Sequence, residues 1–575
     1  MIIDNIVVNA VKRELNAKLL GIKINKIFQP SFDSFLFEIW DRKTIFRLLI
    51  SLNQQSYRVC LIDREIEKSK QASNFCLQLK KYLESGLILE IEQLNFDRIL
   101  SFKIEALDNL KDKIIVYLIV ELTGKYSNLI LLDKDYKILG SYKAITEEQN
   151  QERQILVGSK YCPITNKHEK LSLADLELDI FKNLLEKNPN LSLKKFLISS
   201  FVGISSHTAE ILLGNLKDKK LFELSENEKL NLFDKFKNFA NAIQNEKIYL
   251  NFNLEDLSNL DFTLSAESVN QKDVLYIIDD YYHEIETKKK YQTLSLELKK
   301  IVEVNLSKVS KKIEEQELCL KESLACEKYM QFGNLLLSNA LYKLTDKKIK
   351  SIQTENYYDE NNSVITIEID ENLTISENAQ KFFKKYNKLN KSKQNIEVFL
   401  EKLNEEKSYL DEVDNFIDNS ANLEDIEEIN SELEKEGYKK SKKINKTNNK
   451  GNSNPQKVKS NFLSYKSEDG LEILIGKNNT QNDYLTTKFA KPNDIWLHTW
   501  LTPGSHVIVV TENGRKNVSQ KTLLEAATLA AKFSKAKFSS NVSVVYTKVR
   551  NVKKPNGSKP GFVIYTNEKA LYVNP

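Results

Sequence analysis

No two of the five cysteines, Cys60, Cys76, Cys162, Cys319 and Cys326, form a CxxC pair. That excludes a zinc ribbon or a thioredoxin-like centre, and an odd, irregularly spaced set fits a reducing compartment. Cys319 and Cys326 lie seven residues apart, so on a helix they would share a face as small packing residues. No run of about 18 apolar residues occurs, so no transmembrane span is expected. The opening MIIDNIVVNAVKRELNAKL is broken by charge before a signal-peptide core develops, and ALYVNP carries no lipidation box. A cytoplasmic protein with no membrane partner is therefore expected. No GxxxxGK[ST] and no HExxH is present, so no nucleotide loop, metalloprotease site or cofactor is expected. Five histidines are present, and only His498 and His506 lie near each other, flanking a Pro-Gly turn. They lack obvious carboxylate or thiolate co-ligands, which favours hydrogen bonding over metal binding.

What is present is charge. Charged residues make up 29% of the 575, yet the net charge is only +5, so any nucleic-acid surface must come from local clustering. The length suits several domains, and the pattern along the chain divides it. Residues 1–170 read as an α+β domain of antiparallel hairpins. Helices are expected at Asn9–Leu20 and Phe75–Glu84. Strands are expected at Ile24–Phe28, Phe35–Trp40, Ile45–Ser51, Tyr57–Ile62, Ile88–Phe96, Ile99–Ile104, Ile114–Glu121 and Ser127–Leu132. Residues 171–285 read as helical, and Phe196–Ser205 is compatible with a helix-hairpin-helix offering backbone amides to a phosphate, or with plain helix packing.

Residues 286–436 contain two long Lys/Glu-rich helical stretches around a tip insert at 346–375. In the first, Val302, Leu306, Val309, Ile313 and Leu320 keep a 3/4 spacing. In the second, Phe382, Tyr386, Leu389, Ile396, Leu400, Leu403, Leu410 and Ile417 keep one register. That spacing marks a coiled-coil seam, either an antiparallel arm within one chain or a dimer seam between two. Residues 437–461 hold eight lysines and no acidic residue, a basic disordered linker suited to phosphate or merely solvated. Residues 462–575 read as a compact α/β domain. Its strands are Leu471–Ile475, Ser505–Val510, Val542–Tyr546, Phe562–Tyr565 and Leu571–Val573, and its helix is Lys521–Phe533.

Three segments of the last domain suit RNA. Gly476–Thr486 is dense in amides, among them Asn479, Gln481 and Asn482, which suits turns or the reading of base edges. Asp494–Trp500 and Pro503–Val507 bring Trp496, His498 and His506 together. Trp496 is either a core residue or a stacking platform for bases. Lys548, Arg550, Lys553, Lys554 and Lys559, among Pro and Gly, form a basic loop suited to phosphates. In the first domain Asp97-Arg98 lies between two strands. An Arg fork can grip a phosphate or base edge and an adjacent Asp can orient it, but such a pair is usually a surface turn.

These motifs together resemble the NFACT family. The signatures are Ile24–Pro30, Asn74–Leu77, Phe96–Ile99 and Glu121–Leu131 near the start, Asn356–Tyr358 and Asn378–Tyr386 in the arm, and Asp494–Thr499 with Pro503–Val507 at the end. The resemblance spans the whole chain. It implies a multidomain α+β protein: an NFACT-N domain similar to formamidopyrimidine-type DNA glycosylases, a helix-hairpin-helix region, an antiparallel coiled-coil arm and an NFACT-R RNA-binding domain.

The resemblance further implies a ribosome-quality-control factor that is not an enzyme. Such a factor binds large subunits obstructed by peptidyl-tRNA, through rRNA and ribosomal proteins, with a small RNA-binding partner. It recruits alanyl-tRNA for template-free alanine tailing, and the ribosome makes the peptide bonds. Asp97 and Arg98 match the family's tRNA-contacting pair. Two positions depart from the pattern: Trp500-Leu501-Thr502 stand where the family usually has Lys-Asp, and Ile3-Asp4-Asn5 replace Phe-Asp-Gly. A lyase reading fails because the chain opens Met1-Ile2-Ile3, without the nucleophilic Pro and its Glu. A fibronectin-binding adhesin is the alternative function, as a secondary activity, and would require export.

Overall fold

A computed structural model describes residues 3–66, 72–108, 110–151, 153–163, 170–245, 248–252, 260–263, 273–324, 326–338, 349–359, 362–440 and 461–575. Most of the basic linker and His168 lie outside the described residues. The chain forms two compact units, Met1–Glu286 and Thr287–Pro575.

The first unit opens with helix α1 (Asn5–Leu19) and continues through β1 (Lys23–Ser31), β2 (Ser34–Trp40), β3 (Ile45–Ser51), β4 (Arg58–Leu61), α2 (Asn74–Leu83), β5 (Leu87–Gln93), β6 (Ile99–Leu107), β7 (Lys113–Glu121), β8 (Asn128–Leu132) and β9 (Ile138–Ser141). The nine strands form one antiparallel sheet in the order β4-β3-β2-β1-β5-β6-β7-β8-β9. Val7, Leu15 and Leu19 of α1 and Leu79 and Leu83 of α2 are buried in a core with Phe35, Phe37 and Phe102 of the sheet. Each such side chain contributes about 1.5–3 kcal/mol by leaving water.

Helices α3 (Leu178–Lys187), α4 (Leu193–Ser200), α5 (Ser206–Leu213) and α6 (Glu226–Gln244) follow, then strands β10 (Tyr249–Phe252) and β11 (Leu260–Thr263), and the start of α7 (Val274–Leu324). Phe181, Phe196, Phe201 and Phe236 make edge-to-face contacts at the centre of the helical part. Arg58, only 1% exposed, ties the first turns of α7 to β4 by a fork onto Glu286, at 2.7 and 3.1 Å.

The start of α1 departs from expectation. The helix begins at Asn5 rather than Asn9 because Asp4 caps it, accepting from the amides of Ile6 and Val7 at 3.1 Å. The other oxygen of Asp4 accepts from the hydroxyls of Ser205 (2.7 Å) and Thr208 (2.8 Å) at the start of α5. The start of α5 is therefore fastened to α1 through its hydroxyls. This places a buried carboxylate of the chain itself beside the N-terminus of that helix.

In the second unit α7 is followed by α8 (Cys326–Ser338), β12 (Ser351–Glu355), β13 (Val364–Glu368), α9 (Ile375–Asn419) and α10 (Leu423–Lys435). The long helices pair in opposite directions. The Tyr291 hydroxyl donates to the Ser420 carbonyl at 2.8 Å, Lys299 pairs with Asp418, and Tyr329 stacks on Phe382 at 6.1 Å. Of the expected seam, Leu403, Leu410 and Ile417 are buried against Leu298, Val302, Val309 and Ile313, with Ile426, Ile429 and Leu433 of α10 completing the cluster. Phe382, Tyr386, Leu389 and Ile396 are only half-buried. Cys326 is buried and Cys319 exposed, so these two do not share an environment.

The rest of the unit comprises β14 (Leu463–Lys466), β15 (Glu472–Ile475), α11 (Asn479–Tyr484), β16 (Ile495–Thr499), β17 (Val507–Val509), α12 (Gln520–Lys532), β18 (Val542–Lys548), β19 (Val552–Lys553), β20 (Ile564–Tyr565) and β21 (Lys569–Val573). The expected α/β class is corrected here. The six-stranded sheet, ordered β14-β15-β17-β16-β18-β21, is antiparallel at every pairing. Helix α12 does join two strands of like direction, β17 and β18, but β16 lies between them. The strand–helix–strand pattern is the same either way, so the sequence reads like a parallel unit.

Asp4→Ala removes the cap of α1 and leaves two hydroxyls of α5 without their acceptor. We expect it to lower the stability of the first unit by about 2–4 kcal/mol, read as a lower urea midpoint. An unchanged midpoint would show that the shared carboxylate does not fasten α1 to α5.

Candidate nucleic-acid interface

In the first unit, Asp97 and Arg98 sit where the chain passes from β5 to β6. Asn95 and Phe96 before them both adopt left-handed backbone, φ 50° and 49°. That conformation is uncommon for a bulky side chain and needs support from its surroundings. The support comes from amides. Gln93 donates to the carbonyls of Asn5 (2.9 Å) and Asp97 (2.8 Å) and accepts from Asn9 at 3.1 Å. Asn5 donates to the Phe96 carbonyl. The Phe96 ring lies so close to Gly203 that a Cβ there would collide with it.

The loop is thus clamped, while the two side chains at its end stay half-buried. Asp97 does not hold the Arg98 fork. Its Oδ1 accepts from the Arg98 backbone amide at 2.7 Å. The guanidinium makes no hydrogen bond or ion pair among the described residues, so its five donors are available to a partner. Beside the loop, Glu121 is fully buried at the end of β7, held by the Tyr161 hydroxyl at 2.7 Å and by Arg153. Burial pushes its carboxyl above the usual carboxylate range.

The second unit rearranges the expected RNA-contacting set. The amide-rich segment is not an exposed turn but α11, capped by Asn478, whose side chain accepts from the Gln481 amide at 2.7 Å. Asn479, Gln481 and Asn482 are at most 1% exposed. Their surroundings are the chain's own. Glu428 accepts from Asn478 and Gln481, both at 2.7 Å. Glu432 accepts from the amide (2.9 Å) and hydroxyl (3.0 Å) of Thr480, and Asn482 accepts from the His506 amide at 3.0 Å. A base edge cannot reach these amides, which corrects the expectation of edge reading there.

Trp496 is core: it is wholly buried beside Ile508 and Val545. His506 is buried, with Nδ1 2.8 Å from the Thr486 hydroxyl. Burial drives both histidines toward the neutral form, His498 down to about 4 and His506 well below its usual value. Neither brings positive charge to an RNA. Asp494, the first residue of the same motif, clamps the strand entrance by accepting from the Thr511 amide and hydroxyl, both at 2.8 Å.

The basic loop divides in two. Lys554 pairs with Asp483, and Lys559 with Glu436 at 2.7 Å while lying over Tyr409 and Tyr438. Those two cations are tied internally. Lys548, Arg550 and Lys553 are exposed, and their charged groups have no ion pair among the described residues. The Arg550 amide donates to the Pro492 carbonyl, which brings exposed Lys491 alongside. This is the cationic edge that a phosphate backbone can meet.

The family model described as "NFACT N-terminal and middle domains" matches residues 4–452, and the one described as "NFACT protein RNA binding domain" matches residues 461–566. The chain belongs to the NFACT family. It is 34% identical over 585 residues to the Bacillus subtilis protein named "Rqc2 homolog RqcH", covering 100% of this chain and 98% of that one. It is 30% identical over 139 residues to the human "Ribosome quality control complex subunit NEMF", covering 24% of this chain and 12% of that one. A solved structure of the C-terminal part of the Streptococcus suis fibronectin/fibrinogen-binding protein is 32% identical, with a TM-score of 0.38, covering 50% of this chain and 95% of that one. As an NFACT protein the chain has its RNA-binding module at residues 461–566, which includes the cationic edge. No helix among the described residues is long and apolar enough to cross a membrane.

Two expectations follow for this family member. Replacing Lys548, Arg550 and Lys553 by Ala should reduce the log–log salt slope of RNA binding by roughly 0.7–0.9 for each phosphate no longer neutralised, whereas Lys554→Ala should leave the slope unchanged. Equal effects of the two variants would place Lys554 on the RNA instead.

The second concerns Glu412 of α9. Burial, with Glu432, Asp483 and Asp411 around it, pushes its carboxyl up from 4.5 to about 8. The folded state then holds a proton that the unfolded chain releases, so this contribution to stability is full at low pH and is lost as pH rises from about 4.5 to about 8. Urea unfolding across that window should show Glu412→Gln flattening the fall; an unaltered pH profile would mean that Glu412 is ionised throughout.

Proposed function

We propose that this chain is a ribosome-quality-control factor. It acts on large subunits obstructed by peptidyl-tRNA and recruits tRNA, alanyl-tRNA in particular, for template-free alanine tailing of the stalled chain. The observation that carries the reading is the free Arg98 fork on a clamped loop, in a chain related end to end to a protein named "Rqc2 homolog RqcH" and over 139 residues to one named "Ribosome quality control complex subunit NEMF". A guanidinium held ready on a rigid backbone loses little freedom on gripping a phosphate or guanine edge. The lysine edge of the RNA-binding module supplies sequence-independent attraction to rRNA. The paired helices of the second unit serve as the bracing arm, with the helix-hairpin-helix and glycosylase-like regions as scaffold. Peptide-bond chemistry belongs to the ribosome, the protein works in the cytoplasm, and a small RNA-binding protein assists it. Fibronectin binding remains a property named for the Streptococcus suis protein.

Asp97 and Arg98 lie in a different compact unit from the cationic edge, so their functions should separate. Changing both to Ala should cost a few kcal/mol of tRNA affinity, since one bidentate contact is worth about 1–3 kcal/mol. Large-subunit co-sedimentation should persist. Arg98→Lys should not rescue, because an ammonium lacks the fork. The measurement is tRNA and tailed peptide recovered with purified large subunits. Undiminished tRNA recovery, or loss of subunit binding along with it, would sink the assignment.

A further inference from the structure

One face of the six-stranded sheet is closed by α12, whose Ala526, Ala527, Ala530 and Ala531 pack on Leu497, Val507, Val544 and Val573. The other face is closed at one end only. Trp496 is buried there between Tyr565 (5.1 Å between ring centroids) and His498 (5.8 Å). Side chains alternate along a strand, so Trp496, His498 and Trp500 rise on this second face. Trp500 extends the ladder past the end of β16: its amide donates to the Ser543 carbonyl at 2.9 Å, one step beyond the Thr499–Val544 pair. On the far side Ser543 is paired with Tyr572. Directly paired residues point to the same face. Trp500 and Tyr572 therefore flank Ser543 on one surface, two interstrand spacings or roughly 10 Å apart.

Unlike Trp496, both rings are open, Trp500 being 53% and Tyr572 64% exposed. The turn that follows holds Leu501 at φ 52° and 83% exposed, so it does not fold back over the ledge. No carboxylate occurs in the segments that build it, 500–502, 541–545 and 570–574. Residues 462–575 as a whole carry sixteen lysines and arginines against eight acidic residues.

We propose that this ledge stacks the bases of unpaired RNA, one on Trp500 and one on Tyr572. Bases inside a duplex are covered on both faces and only its end pairs are open, so such a ledge selects single-stranded or bulged RNA over the body of a duplex, while the cationic edge holds any phosphate backbone. The inference rests on RNA binding by this module and adds what the module selects. It also gives a role to Trp500-Leu501-Thr502, where charge is exchanged for stacking surface.

The test uses the full chain with a labelled single-stranded oligouridylate and a blunt RNA duplex as probes. Trp500→Ala and Tyr572→Ala should each weaken oligouridylate binding about tenfold. Both should leave duplex affinity and the salt slope unchanged, and Trp500→Phe should keep most of the single-strand affinity. Undiminished oligouridylate binding by both Ala variants, equal loss on the duplex, or a dimer of the chain that dissociates on Trp500→Ala overturns the proposal. A wild-type chain that binds neither probe overturns RNA binding by the module itself, which the variants alone would not do.

Discussion

Four carboxylates along one side of α10 and its C-terminal cap hold the RNA-binding module to the helical part of its unit. Asp425 takes Lys477 at 2.9 Å, Glu428 takes two amides of the 478–481 segment, Glu432 takes Thr480, and Glu436 takes Lys559. Glu432 is also reached by the Tyr409 hydroxyl at 3.1 Å. On the adjoining stripe, Ile426, Ile429 and Leu433 anchor α10 to the long helices. A buried carboxylate is costly unless it finds donors, and the two that are buried, Asp425 and Glu432, draw theirs from the module together with the Ala421 amide and the Tyr409 hydroxyl. Shifting the module along α10 would leave several of these groups unpaired at once, so the network fixes a register that apolar packing alone would leave loose. This is what commits α11 to the interior and leaves the module's other surfaces for a ligand.

Most of the strands were legible because β-branched and aromatic residues are concentrated in them. The expected Ile45–Ser51 is β3 to the residue, and Phe35–Trp40 and Ile114–Glu121 each fall one residue short of the observed strand. Paired 3/4 stretches likewise marked the long helices. The failures share one physical cause: polar residues whose partners lie far away in sequence. Asn479, Gln481 and Asn482 have the composition of a surface turn, and nothing near them announces that Glu428 and Glu432 will meet the segment. Asp4 was not read as a cap at all, and its partners Ser205 and Thr208 lie about two hundred residues away. Lys554 looked like Lys548, and only the fold distinguishes the lysine beside Asp483 from the one facing outward. Arg98 could be picked out by resemblance, but its clamp of Gln93, Asn5 and Gly203 could not. An Asp directly before it suggested a side-chain partner where the structure has a backbone one.

The two candidate surfaces work by different physics. The Arg98 fork presents directed donors from a loop that cannot relax, which favours one geometry of partner. The lysine edge presents unpaired point charges that tolerate many geometries and weaken with salt. Specificity is expected from the first and encounter rate from the second, and they stand in separate compact units.

The shared carboxylate of Asp4 has a consequence for the birth of the protein. The helix it caps is made well before its second set of partners, Ser205 and Thr208, which come about two hundred residues later. At synthesis rates of about 5–20 residues per second, α1 waits on the order of 10–40 s for that contact. During that interval the second oxygen of Asp4 has only water to accept from, although the sheet that seats the apolar face of α1 is already made. The joint between the amino-terminal helix of the sheet layer and the helical layer is therefore closed late, when the α4–α5 turn has left the exit tunnel and its two hydroxyls reach a carboxylate already fixed by its own helix.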